Sequence, residues 1–388
     1  MIVVAIILAL SALYWIHLAI QLGRARRTPC LASLEPPAPP RWPSLSLIIP
    51  ACNEADTLGP AMASRLAEDY PDLEMVLVDD RSTDGTGAIA EAAAAHDPRV
   101  RVLHLDTLPD GWLGKVHALH RGVEQARGEW LLFTDADVHL APGTLRTVIG
   151  HAEARGLDHL AVLPELRRGD FALELALSTF CRLITVALRP SAIEDPRSRA
   201  SFGVGAFNLV RRSALERSPG LSWLKMEVVD DIALGQMLKR SGARASVARG
   251  DGAVSLDFYR SAGELIRGIE KNGFATLGSF NYAQLAAMVL GFLVIECAPL
   301  GAVAAFGHPL VRVSGLAILA LALGLCAWTA RLYGRRMAPA LLYPVGLALL
   351  MAGEVRSGWL AARQGGVTWR GTLYPLDQLR AGMRRQFL

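Results

Sequence analysis

Hydrophobic positions fall into three regimes along the chain. Residues Met1 to Leu22 are almost wholly apolar. At about 1.5 Å rise per residue such a run spans a bilayer. No basic residue precedes it, while Arg24, Arg26 and Arg27 follow. A secretory signal shows the reverse polarity and a shorter apolar core. The pattern therefore predicts a retained anchor, amino terminus outside and next domain cytoplasmic, with a buried core helix as the alternative. The Pro-rich stretch Thr28 to Pro43 predicts a stiff, extended spacer.

From about Leu45 to Ser279 short apolar runs alternate with amphipathic stretches. Strands are expected at Leu45 to Pro50, Leu73 to Asp80, Val100 to Leu105 and Glu129 to Asp137. Helices are expected at Ala55 to Ala67, Gly87 to Ala95, Val116 to Ala126 and Gly143 to Ala154. Near-continuous apolar strands separated by helices predict an α/β fold, a mostly parallel sheet covered on both faces. The run Phe171 to Leu188 is apolar on most faces. It reads as an interfacial helix guiding a lipid acceptor or, alternatively, as a buried helix.

The third regime is apolar again. Tyr282 to Phe306 and Leu310 to Ala330 have spanning length, and Ala338 to Ala352 is shorter and contains Pro344 and Gly346. Glu296 and Pro299 in the first of these mark a functional carboxylate or a broken helix. Arg331, Arg335 and Arg336 favour a cytoplasmic loop, and Arg356, Arg363, Arg370, Arg380, Arg384 and Arg385 pull the tail to the same side. Three full crossings would put the tail outside. The expectation is therefore a re-entrant or interfacial third segment.

Composition agrees with a membrane class. Of 388 residues 52% are hydrophobic, and the mean hydropathy is +0.30, too apolar for a purely soluble enzyme. The net charge of +4 is modest, and no aromatic-and-basic repeat suggests nucleic acid. Five scattered cysteines without a CxxC fit reduced thiols.

Candidate chemistry sits at strand ends, where open parallel sheets bind ligands. Pro50, Asn53 and Glu54 follow the first strand, Asp79 and Asp80 end the second, and Asp135 and Asp137 end a later one. One such acid is ordinarily a turn former or helix cap. Three acid-bearing ends on one sheet edge argue for a site.

The motifs "IIPACNEA", "VLVDDRSTDGT", "GKVHALHRG", "TDAD" and "VVDD", in this order over Leu45 to Ser279, resemble glycosyltransferase family 2, of GT-A fold. The stretches "LRPSAIEDPRSRASFGVGAFNLVRRSALE" and "VTWRGTLY" are similar to its membrane branch, which comprises the hopene-associated, ceramide and carotenoid glycosyltransferases. The resemblance divides the chain into an anchor (1–23), a linker (24–43), a GT-A domain (44–280), membrane helices (281–355) and a cytoplasmic or interfacial tail (356–388). It implies a multi-pass protein of the cell (inner) membrane whose catalytic domain faces the cytoplasm. A nucleotide-sugar, UDP-sugar by family habit, is then the donor and a membrane lipid hydroxyl the acceptor.

Roles follow from the resemblance. Asn53, Glu54, Asp79 and Asp80, with Pro50 beside them, hold base and ribose. Asp135 and Asp137 form the DxD motif for Mg2+ or Mn2+; Asp137 is the direct ligand, and Asp135 contacts ribose or stands behind. Lys115 serves phosphate or sugar oxygens, or is an ordinary first-turn lysine; His120 stands where the family often has Asn. Asp231 is the general base of an inverting reaction, with Asp230 in place of the usual Glu and capping the following helix. Arg267 and Lys271 occupy an imperfect Q/RxxRW motif without its Trp, facing diphosphate or anionic lipid. A polysaccharide synthase and a non-catalytic nucleotide-sugar-binding protein are the competing readings.

Overall fold

The computed structural model describes residues 1–187, 189–304 and 308–384. The expected segment ends Leu188 and Phe306, and Arg385, lie outside the described residues.

The chain opens with α1 (Ile2–Ala25). It then alternates through β1 (Leu45–Ala51), α2 (Ala55–Leu66), β2 (Leu73–Asp80), α3 (Thr86–His96), β3 (Val100–Leu105), α4 (Gly114–Gln125), β4 (Trp130–Phe133), β5 (His139–Leu140), α5 (Thr144–Ala154), β6 (His159–Leu163) and β7 (Glu165–Leu166). After α6 (Phe171–Ala187) come α7 (Pro190–Glu194), β8 (Asn208–Arg211), α8 (Arg212–Glu216), α9 (Asp230–Arg240), β9 (Ala245–Arg249) and β10 (Val254–Leu256). The last stretch holds α10 (Ala262–Thr276), α11 (Tyr282–Ala304), α12 (Pro309–Leu332), α13 (Met337–Leu341), α14 (Tyr343–Gln364), β11 (Gly366–Trp369), β12 (Thr372–Pro375) and α15 (Leu376–Gly382).

These elements form two compact units that are interleaved along the chain. A helical unit takes Met1–Arg27, Arg168–Arg189 and Phe258–Leu376, and a sheet unit takes Thr28–Arg167, Pro190–Asp257 and Asp377–Leu388. The consecutive blocks expected from sequence are thus crossed three times: α6 and α10, both within the expected 44–280 domain, belong to the helical unit, and the tail from Asp377 belongs to the sheet unit.

The sheet unit is built on seven strands in the order β3-β2-β1-β4-β8-β6-β9. The first four run parallel, β8 is antiparallel to both neighbours, and β6 and β9 are parallel. Fully buried Leu47, Ile48, Ile49, Met75, Val76, Leu77, Leu131 and Leu132 explain the continuous apolar runs. In-register pairing of Ala51 with Asp79, and of Asp79 with His104, brings three strand ends to one edge. A second sheet, β5-β10-β7, holds the chain just after the Asp135–Asp137 segment.

In the helical unit α1, α11, α12 and α14 are each long and apolar enough to cross a membrane. Pro299 does not break α11, and Glu296 within it is fully buried. Its carboxylate accepts two 2.7 Å bonds from the Arg182 guanidinium on α6 and one of 2.6 Å from Tyr14 Oη on α1. Arg182 lies over the rings of Trp15 (5.2 Å) and Tyr343 (5.6 Å). The broken-helix expectation for Glu296 is therefore overturned: this carboxylate joins α1, α6 and α11. The interfacial expectation for α6 is also overturned. Leu173, Glu174, Ala176, Leu177, Thr179 and Arg182 are all buried, and Glu174 pairs with Arg335 at 3.0 Å. The third late segment extends past Ala352 to Gln364, because Pro344 falls in the first turn of α14, where a missing N–H costs nothing.

Removing one partner of a buried pair strands a charge, at about 3–5 kcal/mol. Glu296→Gln should lower stability by about that amount in denaturant unfolding of the micelle-embedded protein. The double change Arg182→Met with Glu296→Leu should recover most of it; a single variant as stable as the parent would contradict the role of this pair.

Candidate active site

The loops after β1 and β2 are laced together. Asn53 and Arg81 adopt left-handed backbone, φ 55° and 58°, which non-glycine residues hold only when their surroundings fix it. The Asn53 N–H donates to Ser82 Oγ (3.0 Å), the Thr83 N–H to Asn53 Oδ1 (2.8 Å) and the Glu54 N–H to Thr86 Oγ1 (2.7 Å). The Arg81 N–H reaches the Leu105 carbonyl at 3.1 Å.

Asp79 and Asp80 are buried and individually partnered. His104 Nδ1 meets Asp79 Oδ2 at 2.9 Å, and its Nε2 meets Glu91 at 2.8 Å. Hydrogen bonds from Glu91 and Asp79 raise the His104 pKa. Asp79 Oδ1 is buried without a hydrogen-bond partner. Asp80 takes a two-pronged contact from Arg81, 2.8 and 3.0 Å. A methyl group at Gly114 would lie 2.5 Å from Asp80 Oδ2. Glycine there lets the positive first turn of α4 press against this carboxylate.

Asp135 and Asp137 follow β4 in a loop; the strand ends earlier than expected, at Phe133. The loop is held from behind by Arg65, whose side chain is fully buried. Arg65 Nη2 donates to the Asp135 carbonyl and Nη1 to the Ala136 carbonyl (3.4 Å). Burial lowers the Arg65 pKa to about 10, although Asp137 and Asp135 oppose the shift. Arg65 was missed from sequence. Its signal was an arginine on the buried stripe Leu58, Ala61, Met62, Arg65 of α2, where a lone charge calls for a partner.

Lys115 Nζ reaches Asp135 Oδ1 at 2.6 Å. Burial would depress this lysine, but Asp135, Asp230 and Asp231 outweigh it and hold it well above its ordinary value. Asp231 Oδ2 accepts from the Gly205 N–H and Oδ1 from the Ile232 N–H, both at 2.8 Å. The cap expected of Asp230 is not made: α9 begins at Asp230 itself, Val229 stands at the cap position, and no side chain makes a capping bond there. A methyl group at Gly205 would stand 3.1 Å from both Asp135 Oδ2 and Lys115 Nζ and 3.5 Å from Asp231 Oδ2. Gly205, a second residue missed from sequence, therefore marks the point where these three groups converge. Pro50, Lys115, Asp135, Asp230 and Asp231 line one narrow cavity of ≈ 10 Å³ there, room for about one water. Burial, then Asp230, raises Asp231 to about 6 against the pull of Lys115.

Asp137 stands apart from that cavity and makes no ion pair among the described residues. Burial, followed by Asp135 and Glu54, raises it to about 6. No group of three or more His, Cys, Asp or Glu side chains able to hold a metal occurs among the described residues. Arg267 and Lys271 lie on α10 of the helical unit, apart from the unit that carries the other expected site residues. Lys271 Nζ lies 4.4 Å from the ring of Trp369 in the β11–β12 hairpin of the same unit.

A mostly parallel sheet with acids gathered at its strand ends is an α/β architecture of GT-A type. Residues 46–218 match glycosyl transferase family 2, and this part of the chain is a family 2 glycosyltransferase domain. The chain is 38% identical over 123 residues to the succinoglycan biosynthesis protein ExoO of Rhizobium meliloti, covering 32% of this chain and 34% of that one. It is 25% identical over 219 residues to a 4,4'-diaponeurosporenoate glycosyltransferase of Staphylococcus aureus, covering 56% and 57%. The chain thus spans between a third and somewhat over half the length of these curated relatives. A mannosyltransferase from Pyrobaculum calidifontis, solved in complex with GDP-Man and Mn2+, shares the fold with TM-score 0.59 and 22% identity, over 92% of this chain and 99% of that one.

Arg65→Met would leave the Asp135 and Ala136 carbonyls without their donor, at about 1–3 kcal/mol for each buried acceptor. Thermal unfolding should show that loss. UDP titration should show weakened binding, and unchanged values for both would exclude Arg65 as the support of the loop.

Proposed function

We propose that the protein is a membrane-bound, inverting glycosyltransferase that moves a sugar from a nucleotide-sugar, a UDP-sugar by family expectation, to a hydroxyl of a membrane lipid. The convergence of Asp135, Lys115 and Asp231 around Gly205 carries this reading. Four helices long and apolar enough to cross a membrane support the lipid acceptor, as does the relative named for 4,4'-diaponeurosporenoate.

In this reading Asn53, Glu54, Asp79 and Asp80 orient base and ribose in the laced loops, with Pro50 beside them. Asp137, with Asp135 behind it, would hold Mg2+ or Mn2+, and such a cation would supply positive charge for the donor's diphosphate. The Mn2+ of the Pyrobaculum mannosyltransferase agrees with this assignment. Lys115 meets the donor's oxygens as a point charge. Asp231 takes the proton of the attacking hydroxyl at whichever carboxylate oxygen the acceptor reaches. Arg267 and Lys271 remain assigned to the donor diphosphate or to anionic lipid, a choice that substitution of each would decide.

With Asp231 at about 6, the base form is lost as pH falls, so transfer should decline about tenfold between pH 7 and pH 5. Asp230→Asn removes a repelling charge and should move that limb to lower pH. Radiolabelled UDP-sugar incubated with membranes is the direct assay. Label in the organic extract supports the proposal; label in long polymer supports a synthase. Asp231→Asn should abolish transfer yet bind UDP normally, and retained turnover would remove Asp231 as base.

The same reading takes its topology first from the sheet unit. It contains residues from Thr28 onward and from Asp377 onward, tied by the Arg384 N–H to Glu227 Oε2 at 2.6 Å. Three crossings between them would separate these ends across the bilayer, so α11 and α12 cross and α14 does not. The α14 window is 44% buried against 22% for α11 and α12, and it is the least apolar. In a cysteine-free background, Thr368→Cys and Asp110→Cys should label from the same face of sealed vesicles. Labelling from opposite faces would overturn this arrangement.

A further inference from the structure

A second cavity, of ≈ 720 Å³, opens in the sheet unit outside the Asp135–Lys115–Asp231 cluster. Its size lies within the range of small-molecule sites, about 300–1,000 Å³. Three chain segments wall it: the Asp110–Gly111 loop before α4, the turn carrying Trp223 and Lys225 before α9, and α15 with Arg384 just beyond it. Lys225 and Arg384 are its two cations and Asp110 its one carboxylate. Among the described residues neither cation makes an ion pair. Lys225 Nζ rests 4.9 Å from the Trp112 ring, and the Arg384 guanidinium 5.8 Å from the Trp223 ring. Arg384 Nε donates to the Trp223 carbonyl and Nη1 to the Ala381 carbonyl, both at 3.3 Å; these two long bonds leave Nη2 for a ligand.

The cavity is joined to the reacting cluster by the chain itself. The Leu113 N–H donates to the Lys225 carbonyl at 2.7 Å. Leu113 caps α4, two residues before Lys115, and Lys225 stands five residues before Asp230. One hydrogen bond thus fixes the lead-in to Lys115 against the lead-in to Asp231. Glu227, between Lys225 and Asp230, accepts from the Val229 N–H (3.2 Å) and from the Arg384 N–H (2.6 Å). A molecule gripped by Lys225 and Arg384 is therefore held by the struts that set the base.

We propose that this cavity is the subsite for an anionic acceptor headgroup, one carrying phosphate beside the hydroxyl that receives the sugar. Lys225 and Arg384 take the phosphate oxygens, and the Trp223 ring offers an apolar wall to the carbon skeleton. Asp110 lowers affinity for a second negative charge. The inference rests on the transferase reading and gives its acceptor a chemical class.

The test is calorimetric titration of the full chain in neutral detergent with glycerol 1-phosphate, inorganic phosphate and glycerol. Glycerol 1-phosphate should bind, inorganic phosphate more weakly and glycerol not at all. Lys225→Ala with Arg384→Ala should weaken glycerol 1-phosphate by about tenfold or more, and Asp110→Asn should tighten it, while UDP affinity stays constant as the sign of an intact fold. If the double variant loses UDP as well, Lys225→Gln and Arg384→Gln are read singly, each expected to weaken glycerol 1-phosphate alone. Unchanged glycerol 1-phosphate affinity in the folded variants overturns the proposal. So does equal binding of inorganic phosphate, which would mean a site for free phosphate. Normal UDP and glycerol 1-phosphate binding without sugar transfer would instead refute the enzyme reading and leave the subsite standing.

Discussion

One ammonium group among three carboxylates is the constraint around which the site is arranged. Asp135, Asp230 and Asp231 all act on Lys115, and the cluster has more negative charge than that lysine can balance. Such crowding in a partly buried place is unfavourable unless positive charge arrives from elsewhere. The fold supplies some of it indirectly. Arg65 holds the carbonyls of the Asp135 loop, the first turn of α4 faces Asp80, and two backbone N–H groups hold Asp231. Burial first, and neighbouring carboxylates second, push Asp137 and Asp231 up to about 6.

Much of this was legible because it is local. The apolar runs of β1, β2 and β4 announce buried parallel strands, and the acids that end them announce the ligand edge. Helices α2 to α5 lie within two residues of their expected bounds, since each is set by turn residues in its own neighbourhood. Only the resemblance separates Asp231 from its neighbour. No side chain caps α9; the Asp231 side chain folds back on the next N–H, a rotamer choice without sequence signature.

The unread parts are long-range. Glu296 looked like a helix breaker because its partner Arg182 is 114 residues away. The same separation hid the purpose of α6, whose buried Glu174 and Arg182 were indistinguishable from surface charges. The antiparallel strand β8 pairs with β4 and β6 across 47 to 81 residues, and nothing in its own four residues sets that direction. Arg65 was half visible: its place on an apolar stripe could be counted, but the carbonyls it serves lie 70 residues on.

The interleaving of the two units has a bearing on how the protein is made. Strands β8 and β9, which complete the main sheet, are synthesised only after α6 has emerged, and the tail segment that walls the second cavity comes last of all. A cut near residue 280 leaves the sheet unit incomplete: the fragment carries α6 with two buried charges stripped of Glu296 and Arg335, and it lacks Arg384. The ribosome must therefore deliver nearly the whole chain before the sheet unit is complete, and all four long apolar helices are synthesised before its last wall closes.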